Sequence, residues 1–319
     1  MSIAFTFPGQ GSQAVGMGRE LAEAFPASRA VFEAVDDALD QKLSTLMWEG
    51  EEDELRLTAN AQPALMAVSL AALRALEAEG VDVARDVAFV AGHSLGEYSA
   101  LAAAGTFPIA EAARLLRTRG DAMQTAVPVG EGAMAAIIGL DEAAVEAICS
   151  DASGAGMGCQ IANDNGGGQL VISGAKPAVE KAMDLAKEKG AKRALALPVS
   201  APFHSALMAP AARRMADALA GSSLADPAVP LIANVTASPV MDAAEIERLL
   251  VEQVTGRVRW RESVERLGAE GVTFAVEVGA GKVLTGLARR IAKDMETATC
   301  GTPDEVRAVA ERVAKGGAA

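Results

Sequence analysis

Asp86-Val87-Ala88-Phe89-Val90-Ala91-Gly92-His93-Ser94-Leu95-Gly96-Glu97 decides the reading of this chain. Val87 to Ala91 is wholly apolar, the pattern of a strand covered on both faces in a parallel sheet. Gly92-His93-Ser94-Leu95-Gly96 fits G-x-S-x-G, the turn that joins a strand to a helix and lifts a serine to its tip. Tyr98 to Ala104 predicts the helix that follows. The glycines let strand and helix approach closely while Ser94 takes a strained backbone. The helix N-terminus behind the hydroxyl offers free N–H groups and a favourable dipole to developing negative charge. Ser94 is thereby placed to attack a carbonyl. The same glycines also suit a tight structural turn with no chemistry in it.

Half of the 319 residues are apolar and only 3% are aromatic, so a large core must be filled by Ala, Val, Leu and Met. The length fits one domain, or one domain with an insertion. A formal net charge of −13 argues against nucleic acid or an anionic membrane as partner. Cys149, Cys159 and Cys300 show no metal-ligand spacing and suit free thiols in a reducing cytosol. The chain shows no signal-like N-terminus and no apolar run of membrane-spanning length, so a cytoplasmic protein is expected.

Outward from the turn, Ile3 to Phe7 predicts a first strand. It enters Pro8-Gly9-Gln10-Gly11-Ser12-Gln13, a glycine-rich loop, with a helix expected from about Val15. G-x-G-x-x-G and a phosphate-loop lysine are both absent. The loop either lines a crevice at the strand's C-terminal end or is a plain turn. Asn60-Ala61-Gln62-Pro63 opens a long helix through Ala78, with Gln62 near the crevice end.

A helix from Ile109 to Ala126 carries the most informative charge. At 100° per residue Ala112, Leu115, Leu116 and Met123 form one stripe, and Arg119 lies within it. Arg114 and Arg117 fall outside, as expected of solvated positions. A buried arginine is costly unless it meets an anion, and its planar fork suits a carboxylate. An internal ion pair, or a stem reaching out to water, satisfies the same pattern.

Between Ala133 and Pro198 the predicted order is β-α-β-β-α-β, the ferredoxin-like unit. Its hairpin loop is Asn163-Asp164-Asn165-Gly166-Gly167-Gly168, and Pro128 and Pro198 are candidate hinges. The division is therefore 1–127 with 199–319 as the main domain and 128–198 as a small inserted one. Val199-Ser200-Ala201-Pro202-Phe203-His204-Ser205 reads as a loop. A serine nucleophile needs a base of near-neutral pKa. His93 adjoins Ser94 and should point away from it, which leaves His204, the only other histidine. Beyond it come a strand from Val229 to Val235, a helix from Glu245 to Val254 with Gln253, and a helix from Trp260 to Gly268. A last strand spans Phe274 to Val278, followed by a helix to Lys293. Thr302-Pro303-Asp304-Glu305 reads as the capping box of a final helix, and Lys315 to Ala319 as a frayed tail.

Phe7-Pro8-Gly9-Gln10-Gly11-Ser12-Gln13, Gln62-Pro63-Ala64, Gly92 to Glu97, Arg119-Gly120, Phe203-His204-Ser205, Asn234-Val235-Thr236 and Glu277 to Leu284 occur in one order. In that order they resemble the malonyl-CoA:acyl-carrier-protein transacylases of fatty-acid synthesis. The resemblance covers nearly the whole chain. It implies an α/β-hydrolase-like core with a parallel sheet and an inserted ferredoxin-like subdomain. It implies Ser94 as nucleophile, His204 as base, and the main-chain carbonyl of Gln253 as the group that orients the base. The N–H groups of Gln10 and Leu95 become the oxyanion hole, and Arg119 binds the malonyl carboxylate. Gln62 and Asn165 join the substrate site, and Phe203 marks the malonyl-selecting version of it. Ala280 stands where the family often has proline, with no functional cost expected.

The partners implied are malonyl-CoA and the phosphopantetheine arm of acyl carrier protein. No cofactor or metal is implied, and a monomer is expected. Lys189, Lys192 and Arg193, or Arg257, Arg259 and Arg261, are candidate docking patches for the acidic carrier. An esterase or thioesterase on the same turn is the alternative, with Arg119 the discriminating residue. A catalytically silent carrier-binding module is a third reading, against which Ser94, His204 and Arg119 all count.

Overall fold

The structure is a computed structural model that describes residues 1–154, 158–199 and 201–316. Ser200 of the predicted loop, and 317–319 of the predicted tail, lie outside the described residues. The final helix runs Pro303–Gly316, so Lys315 and Gly316 are helical rather than frayed. Its capping box forms: Glu305 N–H reaches Thr302 Oγ1 at 3.4 Å, and Glu305 Oε2 accepts the Thr302 N–H at 3.2 Å.

Two sheets organise the chain. Strands β1 (Ile3–Phe7), β2 (Phe89–Gly92), β7 (Leu231–Ile232), β8 (Pro239–Val240), β9 (Phe274–Val278) and β10 (Glu296–Cys300) form the first, in the order β10-β9-β1-β2-β7-β8. All neighbours are parallel except β7 and β8. Strand β1 is fully buried, in keeping with its run of apolar residues. The helices Thr58–Ala78 and Ile109–Thr125 pack on one side of the sheet, and Trp260–Ala269 and Val283–Ile291 on the other. Strands β3 (Gly132–Ile138), β4 (Cys159–Asp164), β5 (Gln169–Ala175) and β6 (Arg193–Ala196) form the second sheet. Their order β4-β5-β3-β6, all antiparallel, is the ferredoxin-like one. Its helices Glu142–Ala152 and Lys176–Glu188 close a separate core around Ile137, Val145, Ile148 and Ile172.

The two sheets are stitched together beside the site. Val258 N–H donates to Ala162 O at 2.8 Å, and Asp164 N–H donates to Val258 O at 3.0 Å. The hairpin loop after β4 is therefore pinned to the chain that follows Gln253.

Local chemistry explains where the elements depart from expectation. The helix expected from Val15 starts at Arg19, because Gly16 and Gly18 sit at φ 93° and 78° and turn the chain first. Strand β2 begins at Phe89, since Val83–Asp86 closes a helical turn capped by Asp82. The predicted strand Val229–Val235 shrinks to two paired residues, and β10 was not anticipated. Among the described residues no helix is long and apolar enough to cross a membrane.

Candidate active site

Strand β2 runs straight into the turn. Ser94 has φ 55°, the left-handed region, and the helix Gly96–Ala103 starts two residues later. The glycines are required by proximity. A Cβ on Gly92 would lie 1.9 Å from the main chain of Gly96, and one on Gly96 would lie 2.2 Å from Phe7 O. No side chain fits either gap, so the glycines hold the serine where β1 and β2 end together.

His204 also has a positive φ, 55°. Its Nε2 is 2.7 Å from Ser94 Oγ. Its Nδ1 faces two acceptors, Gln253 O at 2.9 Å and Gly256 O at 3.2 Å. Two carbonyls can only accept, so Nδ1 carries the proton and Nε2 presents its lone pair to the serine hydroxyl. Burial, followed by the charge of Arg119, lowers His204 to about 3. The ring is neutral at physiological pH with its lone pair free, though it is a weaker base than the near-neutral one expected from the sequence.

Arg119 lies in the apolar stripe of its helix and is 1% exposed. Gly120 allows this, because its α-carbon packs against the main chain of Thr58 and Ala59, where a Cβ would come within 2.6 Å. The two helices thus cross closely. Arg119 Nη1 donates to Gln62 Oε1 at 2.7 Å, and Nη2 donates to Gln253 Oε1 at 2.7 Å and to Ser94 Oγ at 3.1 Å. The Tyr98 ring lies 5.7 Å from the guanidinium carbon. Arg117 departs from its predicted solvated place. It is half-buried and bonds Asn60 and Gln41, joining its helix to neighbouring segments.

One cavity of about 420 Å³ is lined by Gln10, Gln62, His93, Ser94, Leu95, Arg119, Asn165, Phe203 and His204. Every side chain named from the sequence, apart from Gln253 below it, reaches this space. The main-chain N–H groups of Gln10 and Leu95 make no hydrogen bond among the described residues. They come from the loops after β1 and β2, whose ends are paired in register at Phe7 and Gly92. Asn165 Oδ1 sits 3.0 Å from His93 Nε2, so His93 turns toward the hairpin loop and away from the serine. Gln62 acts as a holder of Arg119, and its Nε2 bonds Thr58 Oγ1 at 2.9 Å. No group of three His, Cys, Asp or Glu among the described residues could hold a metal ion.

Sequence reasoning gave no role to two residues that build this site, Asn234 and Glu97, and only a main-chain role to a third, Gln253. Asn234 Oδ1 accepts the Ser94 N–H at 2.8 Å, and its amide donates to Gly92 O at 2.6 Å, bracing the strained turn. Gln253 works through its side chain as well as its carbonyl, since Nε2 donates to Ser94 O at 2.9 Å. Glu97 is buried beneath both. Its signal in the sequence was an acid just inside a helix of small apolar residues.

The acyl transferase domain profile matches residues 4–302. The chain belongs to this family. A curated relative from Bacillus subtilis (strain 168), a malonyl CoA-acyl carrier protein transacylase, is 47% identical over 304 residues, 95% of each chain. The crystal structure of an acyl-carrier-protein S-malonyltransferase from Bartonella henselae superposes with a TM-score of 0.97 at 61% identity. That match covers 98% of this chain and 100% of the other. A malonyl-transacylase solved in complex with a type II PKS acyl-carrier protein matches with a TM-score of 0.94 at 42% identity, covering 98% of this chain and 100% of that one. Family membership accounts for the parallel sheet, the inserted antiparallel sheet and the serine turn as one inherited arrangement.

Proposed function

We propose that this protein transfers a malonyl group from malonyl-CoA to the phosphopantetheine thiol of acyl carrier protein, in fatty-acid synthesis. The observation that carries the reading is the convergence on Ser94 Oγ of His204 Nε2 at 2.7 Å and Arg119 Nη2 at 3.1 Å. An esterase for neutral substrates has no use for a buried guanidinium beside its nucleophile.

Ser94 Oγ attacks the thioester carbonyl while its proton passes to His204 Nε2. The N–H groups of Gln10 and Leu95 hold the oxyanion, each such donor being worth about 3 kcal/mol in comparable sites. The C–S bond breaks, and the coenzyme A sulfur leaves with the proton from His204. The carrier thiol then gives its proton to His204 and attacks the malonyl-serine ester. That proton returns to Ser94 as the ester bond breaks. Arg119 grips the free carboxylate throughout, so the ester stays oriented for the incoming thiol. Phe203 narrows the cavity beside the base.

The chain works as a monomer in the cytoplasm, with 128–198 as a small domain over the site. Its carrier must meet a basic surface on an acidic protein. Arg257, Arg259 and Arg261 do not supply it, because Glu142, Glu146, Glu262, Asp164 and Glu265 pair with them. Lys189 pairs with Asp151. Lys282, Arg290 and Lys293 are exposed and carry no ion pair among the described residues, and Arg290 lies beside Gly167 of the hairpin loop. They join Lys192 and Arg193, likewise exposed and without an ion pair among the described residues, as docking candidates.

Incubation with malonyl-CoA, read by intact-protein mass, tests the whole reading. One malonyl adduct should form on Ser94 and disappear when holo carrier protein is added. Rapid hydrolysis without carrier would instead indicate the thioesterase.

A further inference from the structure

Glu97 is 1% exposed, and among the described residues it has no ion-pair partner. Arg119, equally buried, has none either. Isolated buried charges are costly, yet here two of opposite sign lie close together without touching. The side-chain amide of Gln253 separates them. Its Nε2 donates to Glu97 Oε2 at 2.5 Å, and its Oε1 accepts from Arg119 Nη2 at 2.7 Å. The other Glu97 oxygen accepts the Asn234 N–H at 3.1 Å.

The amide has no freedom in this setting. Glu97 Oε2 and Ser94 O are both acceptors, so the NH₂ must face them and the oxygen must face the arginine. Were Glu97 to grip Arg119 directly, an incoming carboxylate would have to break a buried ion pair. A neutral amide yields its hydrogen bond more cheaply than a carboxylate does. The interposed amide keeps the acid within reach of the guanidinium's field and leaves the fork held only by neutral acceptors, which a carboxylate can displace. Burial pushes Glu97 up to about 7, while Gln253, Asn234 and Arg119 pull the other way and favour the ionised form.

Taking malonyl transfer as the reaction of this site, we propose that Glu97 is the positioning residue of Arg119. It acts through the Gln253 side chain to hold the guanidinium open for the malonyl carboxylate.

Glu97→Gln keeps the shape and removes one acceptor oxygen. Either the Asn234 N–H or the Gln253 amide must then face another N–H, and the cheapest relief is rotation of Gln253 away from Arg119. For malonyl-CoA, kcat/KM should fall about tenfold, chiefly through KM, while acetyl-CoA use falls no more than about threefold. Labelling of Ser94 by a fluorophosphonate, which needs no carboxylate binding, should persist. Equal losses on malonyl-CoA and acetyl-CoA, or no loss on either, would overturn the proposal. Should Glu97→Gln not fold, Glu97→Asp carries the same test, since it keeps the acid but withdraws it from the Gln253 amide. The wild type is assayed first. Absence of any malonyl-serine adduct there overturns malonyl transfer itself, whereas an adduct in the wild type with unchanged selectivity in the variant overturns only the role of Glu97.

Discussion

Replacing Arg119 by alanine should convert a malonyl-selective site into an unselective one. The guanidinium is 1% exposed, and its Nη2 lies 3.1 Å from the Ser94 hydroxyl, the proposed site of acylation. A carboxylate two carbons beyond that ester therefore meets the guanidinium inside the protein, away from water. Truncating one partner of such a buried pair costs about 3–5 kcal/mol, because the other charge is left unpaired. At 1.36 kcal/mol per decade this is a loss of roughly 10²- to 5 × 10³-fold in kcat/KM for malonyl-CoA. Acetyl-CoA has no carboxylate to strand. Its loss should stay within about tenfold, reflecting only the vacated space and the unpaired oxygens of Gln62 and Gln253. The assay is the rate of acyl-enzyme formation with each thioester, read by quenched flow and intact mass. Arg119→Lys should recover part of the loss, having the charge without the fork. Equal losses on the two substrates would refute the carboxylate role and leave Arg119 a structural hydrogen-bond donor to Gln62 and Gln253.

Ser94→Ala should abolish the malonyl adduct while leaving the melting temperature near wild type; an adduct that survives points to another nucleophile. His204 is held near 3, so the fluorophosphonate labelling rate of Ser94 should stay flat as pH falls from 8 through 6.5, with its midpoint below about 5. A midpoint at 6.5 would show an ordinary histidine. The same depression has a stability sign. Unfolded His204 takes its proton first, so its contribution is full above 6.5 and is lost as pH falls toward 3, which denaturation at stepped pH would reveal. Gly96→Ala places a Cβ 2.2 Å from Phe7 O, and should cost more than about 3 kcal/mol in chemical denaturation. A smaller loss means that β1 can yield.

The turn was legible because its constraints are local. Glycine spacing, the apolar strand and the helix behind it are all contained in one short stretch. Arg119 was legible through periodicity, since a helix turns at a fixed angle and a charge in the apolar stripe stands out. Arg117 misled for the same reason. The helix faces Asn60 and Gln41 on a second side, and one helix's pattern does not report its neighbours. Strand β10, Glu-Thr-Ala-Thr-Cys, carries no apolar run because it is an edge strand, and its order comes from pairing with β9. The arginines after Gln253 read as a free basic patch, and only the fold brings Glu142 and Glu146 across from the small domain. Gln253 had no local signal at all. Its value comes from lying under three groups that reach it from distant parts of the chain.

The imidazole leans on a peptide oxygen where many serine enzymes supply an acid. A peptide oxygen belongs to every amino acid, so drift at position 253 can spoil the neighbouring amide without removing the prop behind the ring. It also carries no full charge, so a protonated ring gains little by lingering. The site lends its proton briefly and takes it back, which suits a catalyst that must hand the same cargo from one sulfur to another without letting water claim it.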